Sequence, residues 1–232
     1  MLLCWKRRTP FDGGIGPVDA LISDASLARG ALLLFGAGGH ARVVADAAQR
    51  GGEWEWLVAS DRDPACCQGM MLLPGVPLLL PQDAASWGGL VHVSIGDNQA
   101  REREAHALGL ARLVSVLHPA ATRATTASVD AGCFVAAGVV LGPLSRLGVG
   151  VIVNHGAVVD HDCEVGDFSH VAPRAVLGGG VHLGRRVMLG AGAVVLPGVR
   201  VASDVVVGAG AVVHRNLEAP GTYVGLPARR LR

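Results

Sequence analysis

The segment VVDHDCEVGDFSH, residues 158–170, sets two histidines and four acids in a region otherwise written in Val, Leu, Gly and Ala. An imidazole with an ordinary pKa of about 6.5 exchanges protons near neutrality, and a neighbouring carboxylate orients the ring and steadies its protonated form. His161, between Asp160 and Asp162, therefore has the surroundings of a general base. Residue type alone leaves a surface histidine with no task as the other reading.

The elements around this segment follow from a repeat. Counting in sixes from Val129 to Val213 meets only Val or Leu, and counting in sixes from Cys133 to Ala211 meets only Val, Ala, Ser or Cys. No amphipathic helix has period six, and a plain strand alternates by two. A hexapeptide period is the mark of a parallel β-helix in which the aliphatic residue points into a prism and the small one fits the corner. With three hexads to a coil, as in the β-helices this pattern resembles, the array makes roughly five uninterrupted coils. Glycines that follow the aliphatic position, such as Gly142, Gly166, Gly190 and Gly208, suit corners that need close approach or positive φ.

The phase of the repeat aims the candidate side chains. His161 comes two residues after inward Val159, and His170 one residue before inward Val171, so both leave the prism. Cys163 falls in the small corner column, which makes it packing rather than a nucleophile. No two of His155, His161, His170 and His182 share a place on successive coils, which argues against a three-histidine zinc site between chains. A non-catalytic scaffold would need only the inward column, so the outward polar residues Asn154, His161, Asp162 and His170 carry the case for an enzyme.

Ahead of the repeat, ALLLFGAGGHARVVADAAQRGG predicts a buried strand, a glycine turn and a helix from about His40 to Gln49. Gly36, Gly38 and Ala41 satisfy G-x-G-x-x-G/A, and Asp61 follows a second strand. Such a turn brings backbone N–H groups and a helix N-terminus to a phosphate. The front region has room for little more than one mononucleotide-binding half, so a nucleoside diphosphate suits it better than a dinucleotide; a tight turn with no ligand is the other reading. A third strand runs into Gly96, Asp97, Asn98 and Arg101, where ligands of open α/β sheets collect. Residues 101–104, RERE, admit two readings: a phosphate partner at Arg101, or a solvated helix face.

These motifs come in a recognisable order. GAGGHARVV, SIGDNQAR, LHPAA, the hexad array, DHDCEVGDFSHVAPRAVLGG and the terminal VGLPARR resemble a sugar acetyltransferase family of the left-handed β-helix superfamily. It includes sialic acid O-acetyltransferases and the UDP-amino-sugar N-acetyltransferases of bacillosamine synthesis. The resemblance covers the chain after about Arg29. It implies His161 as general base supported by Asp162, where some relatives carry glutamate, and His170 in contact with the acetyl group of acetyl-CoA. It implies Gly190, Gly208 and Gly225 along the coenzyme groove. For the sugar nucleotide it implies Gly36, Gly38, Gly39, His40, Asp61, Asn98, Arg101 and Asn154. Arg185, Arg186, Arg229, Arg230 and Arg232 are either partners of the CoA phosphates or solvated surface. The implied assembly is a homotrimer, and the implied acceptor a UDP-linked 4-amino-4,6-dideoxy sugar, with sialic acid O-acetylation as the alternative.

The expected architecture is α/β plus β: an N-terminal extension over residues 1–29, a small Rossmann-like domain over 30–117, and a left-handed parallel β-helix with its tail over 118–232. Composition bounds the rest. The 232 residues have a net charge of +1 and only 17% charged side chains, so no basic surface for nucleic acid is expected. Mean hydropathy is +0.42, but glycines and charges interrupt every apolar run before it could cross a bilayer. Five cysteines without CxxC spacing indicate neither a disulfide framework nor structural zinc. The basic cluster after a three-residue apolar start is the wrong order for a secretory signal, so a cytoplasmic protein is expected.

Overall fold

The computed structural model describes residues 30–231, so the predicted N-terminal extension lies outside the described residues. The front domain is built on a three-stranded parallel sheet in the order β2-β1-β5, with β1 (Ala31–Phe35) between β2 (Trp56–Ser60) and β5 (Leu90–Val93). β1 is apolar because both faces are covered: Leu32 and Leu34 pack under α1 (Gly39–Gly51), and Leu33 joins Val58, Val91 and Trp87 on the other side. Helix α1 buries Ala41, Val44, Ala45, Ala47 and Ala48, and it ends at Gly52 in the left-handed region. β3 (Met71–Leu73) and β4 (Val76–Pro77) form a hairpin, and α2 (Pro81–Ala84) precedes β5. Helix α3 (Asn98–Leu108) follows β5, with the Asp97 carboxylate accepting from the Ala100 N–H at 2.7 Å as its N-cap.

The rest of the chain is a left-handed β-helix of about six turns. Its strands of two or three residues run from β6 (Val116–Leu117) to β22 (Val212–Val213) and stack in parallel register eighteen residues apart, as Ile152 with His170 and Val158 with Val176. Each fully buried Val or Leu of the inward column contributes roughly 1.5–3 kcal/mol. The count exceeds the expected five because β6 already pairs with Phe134–Val135. The first coil hides from a search for the hexad because Arg123 occupies the inward register place opposite Leu141, exposed at the open end.

Two columns of residues shape the corners. The glycines after the aliphatic place are there for close approach: a Cβ on Gly142 would lie 2.6 Å from the His161 nitrogen, and one on Gly190 2.4 Å from the Ala209 nitrogen. Positive φ belongs to a separate column three residues before the inward position. Glycine fills it at Gly150 and Gly156, but Asp162 (φ 58°), Phe168 (φ 55°) and Arg186 (φ 53°) adopt it too.

The three faces of the prism differ in what they show outward. The five-stranded face presents Ser128, Arg146, Glu164, His182 and Arg200. The six-stranded face presents Thr122, Val140, Val158, Val176, Val194 and Val212. On the third, eight-stranded face Phe134, Ile152 and His170 are buried, and contacts from α1, α3 and the end of β5 show that the front domain covers them. After the last coil, β23 (Gly221–Val224) and β24 (Arg229–Arg230) extend this face. Among the described residues no helix is long and apolar enough to cross a membrane.

Candidate active site

The outward residues gather in two places. His161 and Asp162 lie at the corner between the valine face and the charged face, each with a side chain 57% exposed. His161 Nδ1 is 2.8 Å from Asp162 Oδ2. A carboxylate only accepts, so Nδ1 carries the proton and Nε2 presents its lone pair outward. The left-handed backbone at Asp162, which aspartate tolerates better than most residues, turns the carboxylate back to the ring. The hydrogen bond to Asp162, and then the charge of Asp160, raise the His161 pKa above its ordinary value. Gly179 on the next coil clears the space beside Nε2, since a Cβ there would fall 2.4 Å from it.

The second place lies beneath the front domain. Asn154 Nδ2 is 3.3 Å from His170 Nε2. An amide nitrogen only donates, so His170 accepts at Nε2 and carries its proton at Nδ1, which is buried and makes no hydrogen bond within the protein. His170 points out of the prism as the repeat requires, yet it is only 8% exposed because the front domain lies over it. Burial, with the charge of Arg101 added, pushes its pKa down to about 4, against a polar contact with the Gly96 backbone. His40, in the first turn of α1, stands edge-on to Phe134 at 5.3 Å and 6.3 Å from the His170 ring. Its pKa falls to about 3 through burial first and then the charges of His170, His92 and Arg101. A cavity of about 570 Å³ opens from His170 between Gly96, Asp97 and Asn98 on one side and Arg186, Met188 and Val206 on the other.

The glycine turn divides in the same way. Gly36 (φ 114°) is fixed by the fold, since a Cβ would lie 2.9 Å from the Ser94 carbonyl oxygen. Gly38 and Gly39 are exposed with nothing within 4 Å of a built Cβ, and Gly38 leaves the first turn of α1 without a side-chain cap. The start of α1 is thus exposed and uncapped, an arrangement that suits a phosphate. Asp61 braces the turn from below: one carboxylate oxygen accepts from the Ala37 N–H at 2.8 Å and the other from the Asp63 N–H at 3.0 Å.

Several residues sit otherwise than the sequence suggests. Arg101 is neither a phosphate partner nor part of a solvated face. It is 1% exposed, and its N–H groups donate to the carbonyls of Ile95, Gly96, Gly150, Phe168 and Ser169 and to Asn98 Oδ1, leaving none for a ligand. Glu104 in the same run is buried and pairs with Arg62 at 2.6 Å. Asn98 gives its amide N–H groups to the carbonyls of Arg186 and Val187. Arg185 and Arg186 both pair with Glu102, and Arg186 also meets Asp204 at 2.6 Å, so these cations tie α3 to the β-helix. Gly190 and Gly208 are required by neighbouring chain, the latter because a Cβ would lie 2.8 Å from Val224 Cγ1, while Gly225 turns at φ 96°. Arg230 donates to the Pro220 carbonyl at 2.8 Å. Cys163 is fully buried with its Sγ 3.2 Å from the Gly178 carbonyl oxygen, and burial raises its pKa, both contrary to a nucleophile's needs. His92 and Ser94, buried at the end of β5 with His92 Nε2 and Ser94 Oγ unpartnered, were not singled out by sequence; a histidine inside the apolar run LVHV was the available signal.

Comparisons with known proteins agree with the fold. The PglD N-terminal domain model matches residues 31–108, and the bacterial transferase hexapeptide model matches residues 180–215. Among solved structures, PerB from Caulobacter crescentus in complex with CoA and GDP-perosamine is 36% identical over 88% of this chain and 98% of that one, with a TM-score of 0.80. The chain belongs to the PglD/NeuD family of sugar acetyltransferases. It is therefore an acyltransferase. A second member, the acetyltransferase domain of PglB from Neisseria gonorrhoeae FA1090 in complex with acetyl coenzyme A, is 32% identical over 87% of this chain and 99% of that one, with a TM-score of 0.80. WeeI from Acinetobacter baumannii AYE, 20% identical with a TM-score of 0.59, shares the fold.

Proposed function

We propose that this chain moves the acetyl group of acetyl-CoA onto the amino group of a nucleotide-linked amino-dideoxy sugar, with His161 as the base. The observation that carries the reading is the His161–Asp162 pair at 2.8 Å, which leaves Nε2 open to an acceptor in the clearing beside Gly179. The amine nitrogen attacks the thioester carbonyl carbon while His161 Nε2 takes the N–H proton; the C–S bond then breaks and the imidazolium returns the proton to the leaving sulfur. His170, kept neutral by burial, lines the cavity and is the side chain placed to meet the acetyl group. No acyl-enzyme is needed.

Asn154 and His170 lie toward one edge of the valine face and the His161–Asp162 pair toward the other. A half-buried ladder of valines, exposed outright at Val140, asks for a partner surface, and copies related by a closed rotation would set one chain's pair against the neighbour's covered-face cavity. We therefore read the active assembly as a homotrimer with shared sites. The uncapped start of α1 at Gly38 and Gly39 is the place for the diphosphate.

The acceptor of first choice is a UDP-linked 4-amino-4,6-dideoxy sugar. GDP-perosamine is the second, because PerB carries it. The experiment is thiol release from acetyl-CoA with the UDP-4-amino sugar, GDP-perosamine and sialic acid offered in parallel. Turnover with a nucleotide amino sugar is expected, and which of the two reacts fixes the nucleotide. Turnover with sialic acid alone would overturn N-acetylation.

A further inference from the structure

The geometry points to Arg101 as the positioning residue that sets His170 for the reaction, by clamping the loop that enters α3 and the segment that delivers His170 onto one guanidinium. The inference rests on the acetyltransferase reading above and assigns Arg101 no contact with substrate.

The five N–H groups of Arg101 are distributed with a pattern. Nη1 donates to the carbonyls of Ile95 and Gly96, each at 3.0 Å, and these lead directly into Asp97 and Asn98 of the cavity wall. Nη2 donates to the carbonyls of Phe168 at 2.7 Å and Ser169 at 3.3 Å, the two residues before His170, and to Asn98 Oδ1 at 2.9 Å. Nε donates to the Gly150 carbonyl at 2.8 Å. One wall of the cavity and the two residues that lead into His170 thus hang from one planar group.

The segment it holds is under backbone strain. Phe168 sits at φ 55°, a region that a bulky side chain rarely adopts. Its ring fits only because residue 150 is glycine: a Cβ there would lie 2.5 Å from Phe168 Cε1. Arg101 binds the carbonyls of both residues, so it fixes the strained turn from which His170 emerges. All of its hydrogen-bond partners are neutral oxygens, and no carboxylate is among them. Burying a guanidinium without a counter-ion costs stability, and apolar packing could dock two domains more cheaply. What apolar packing could not do is hold five carbonyls in a defined plane.

The test compares wild type with Arg101→Lys, Arg101→Met and Glu102→Gln, reading kcat, KM for each substrate and melting temperature. Lysine keeps the charge but has no fork. Arg101→Lys is expected to lower kcat about 10–100-fold, the cost of a small misplacement of a reacting-site group, with KM for the sugar nucleotide changed less than about threefold. Arg101→Met should melt lower than Arg101→Lys; where it does not fold, Arg101→Lys still decides. Glu102→Gln loosens the same helix at its surface pairs with Arg185 and Arg186, so it should lower the melting temperature and leave kcat unchanged. Wild-type turnover by Arg101→Lys would overturn the inference, and so would a loss confined to KM for the sugar nucleotide or an equal fall in kcat for Glu102→Gln. Wild-type acceptor use tests the reading; the ratio of variant to wild type, on whichever acceptor is acetylated, tests Arg101.

Discussion

His161 and His170 both leave the prism, one from a corner and the other from a strand, and their chemistry is opposite. His161 stands in solvent with its pKa raised by Asp162 and Asp160; His170 is covered, with its pKa pushed down to about 4 by burial and Arg101. The hexad decides only that a side chain leaves the prism. What lies over the face decides what that side chain can do: an exposed imidazole beside carboxylates exchanges protons, and a covered one stays neutral and offers a fixed hydrogen bond.

The comparison can be broken by substitution. His161→Ala should lower kcat about 10²–10⁴-fold, the usual worth of a positioned base, with acetyl-CoA affinity unchanged by calorimetry. Asp162→Asn, which asparagine's tolerance of positive φ allows without refolding the corner, should have a smaller effect and a characteristic one. A base works in its neutral form, so the acid limb of the wild-type kcat/KM profile should lie above 6.5, and in Asp162→Asn it should move down toward that value. An unchanged limb would separate Asp162 from the base.

The covered region makes the smaller prediction, on stability. His40, His92 and His170 have folded-state pKa values of about 3, 4 and 4, below the ordinary 6.5. Between those values the unfolded chain binds more protons than the folded one, so stability is present in full above pH 6.5 and is lost as pH falls toward 4. Each imidazole contributes up to about 2 kcal/mol of loss between pH 6.5 and pH 5. Urea midpoints should fall over that interval, and His92→Gln should flatten the slope.

The sequence showed most of the β-helix because its rule is local: every sixth residue must fill the same prism, and the rule holds without exception from Val129 to Val213. It failed at the first coil, where Arg123 sits at the solvent-facing end and escapes the demand. The direction of His161 was legible for the same local reason. The burial of His170 was not, because it depends on Asn98 and Arg101 reaching the β-helix from some seventy residues earlier in the chain. Arg101 was the larger misreading. Beside Glu102, Arg103 and Glu104 it looks like one member of a charged helix face, and only the docked domains show that its partners are carbonyl oxygens on both sides of the interface.

The most direct test of the account mixes two inactive chains. In the proposed homotrimer, His161→Ala and His170→Ala co-expressed in equal amounts would give mixed assemblies in which a site can draw its base from one chain and its buried histidine from the neighbour. If sites are shared between chains, about one site in four then carries both intact residues, and acetyl transfer to the amino sugar should return to about a quarter of wild type while each variant alone stays inactive. Mixed trimers that remain as inactive as either parent would contradict the shared site and place both histidines' work within a single chain.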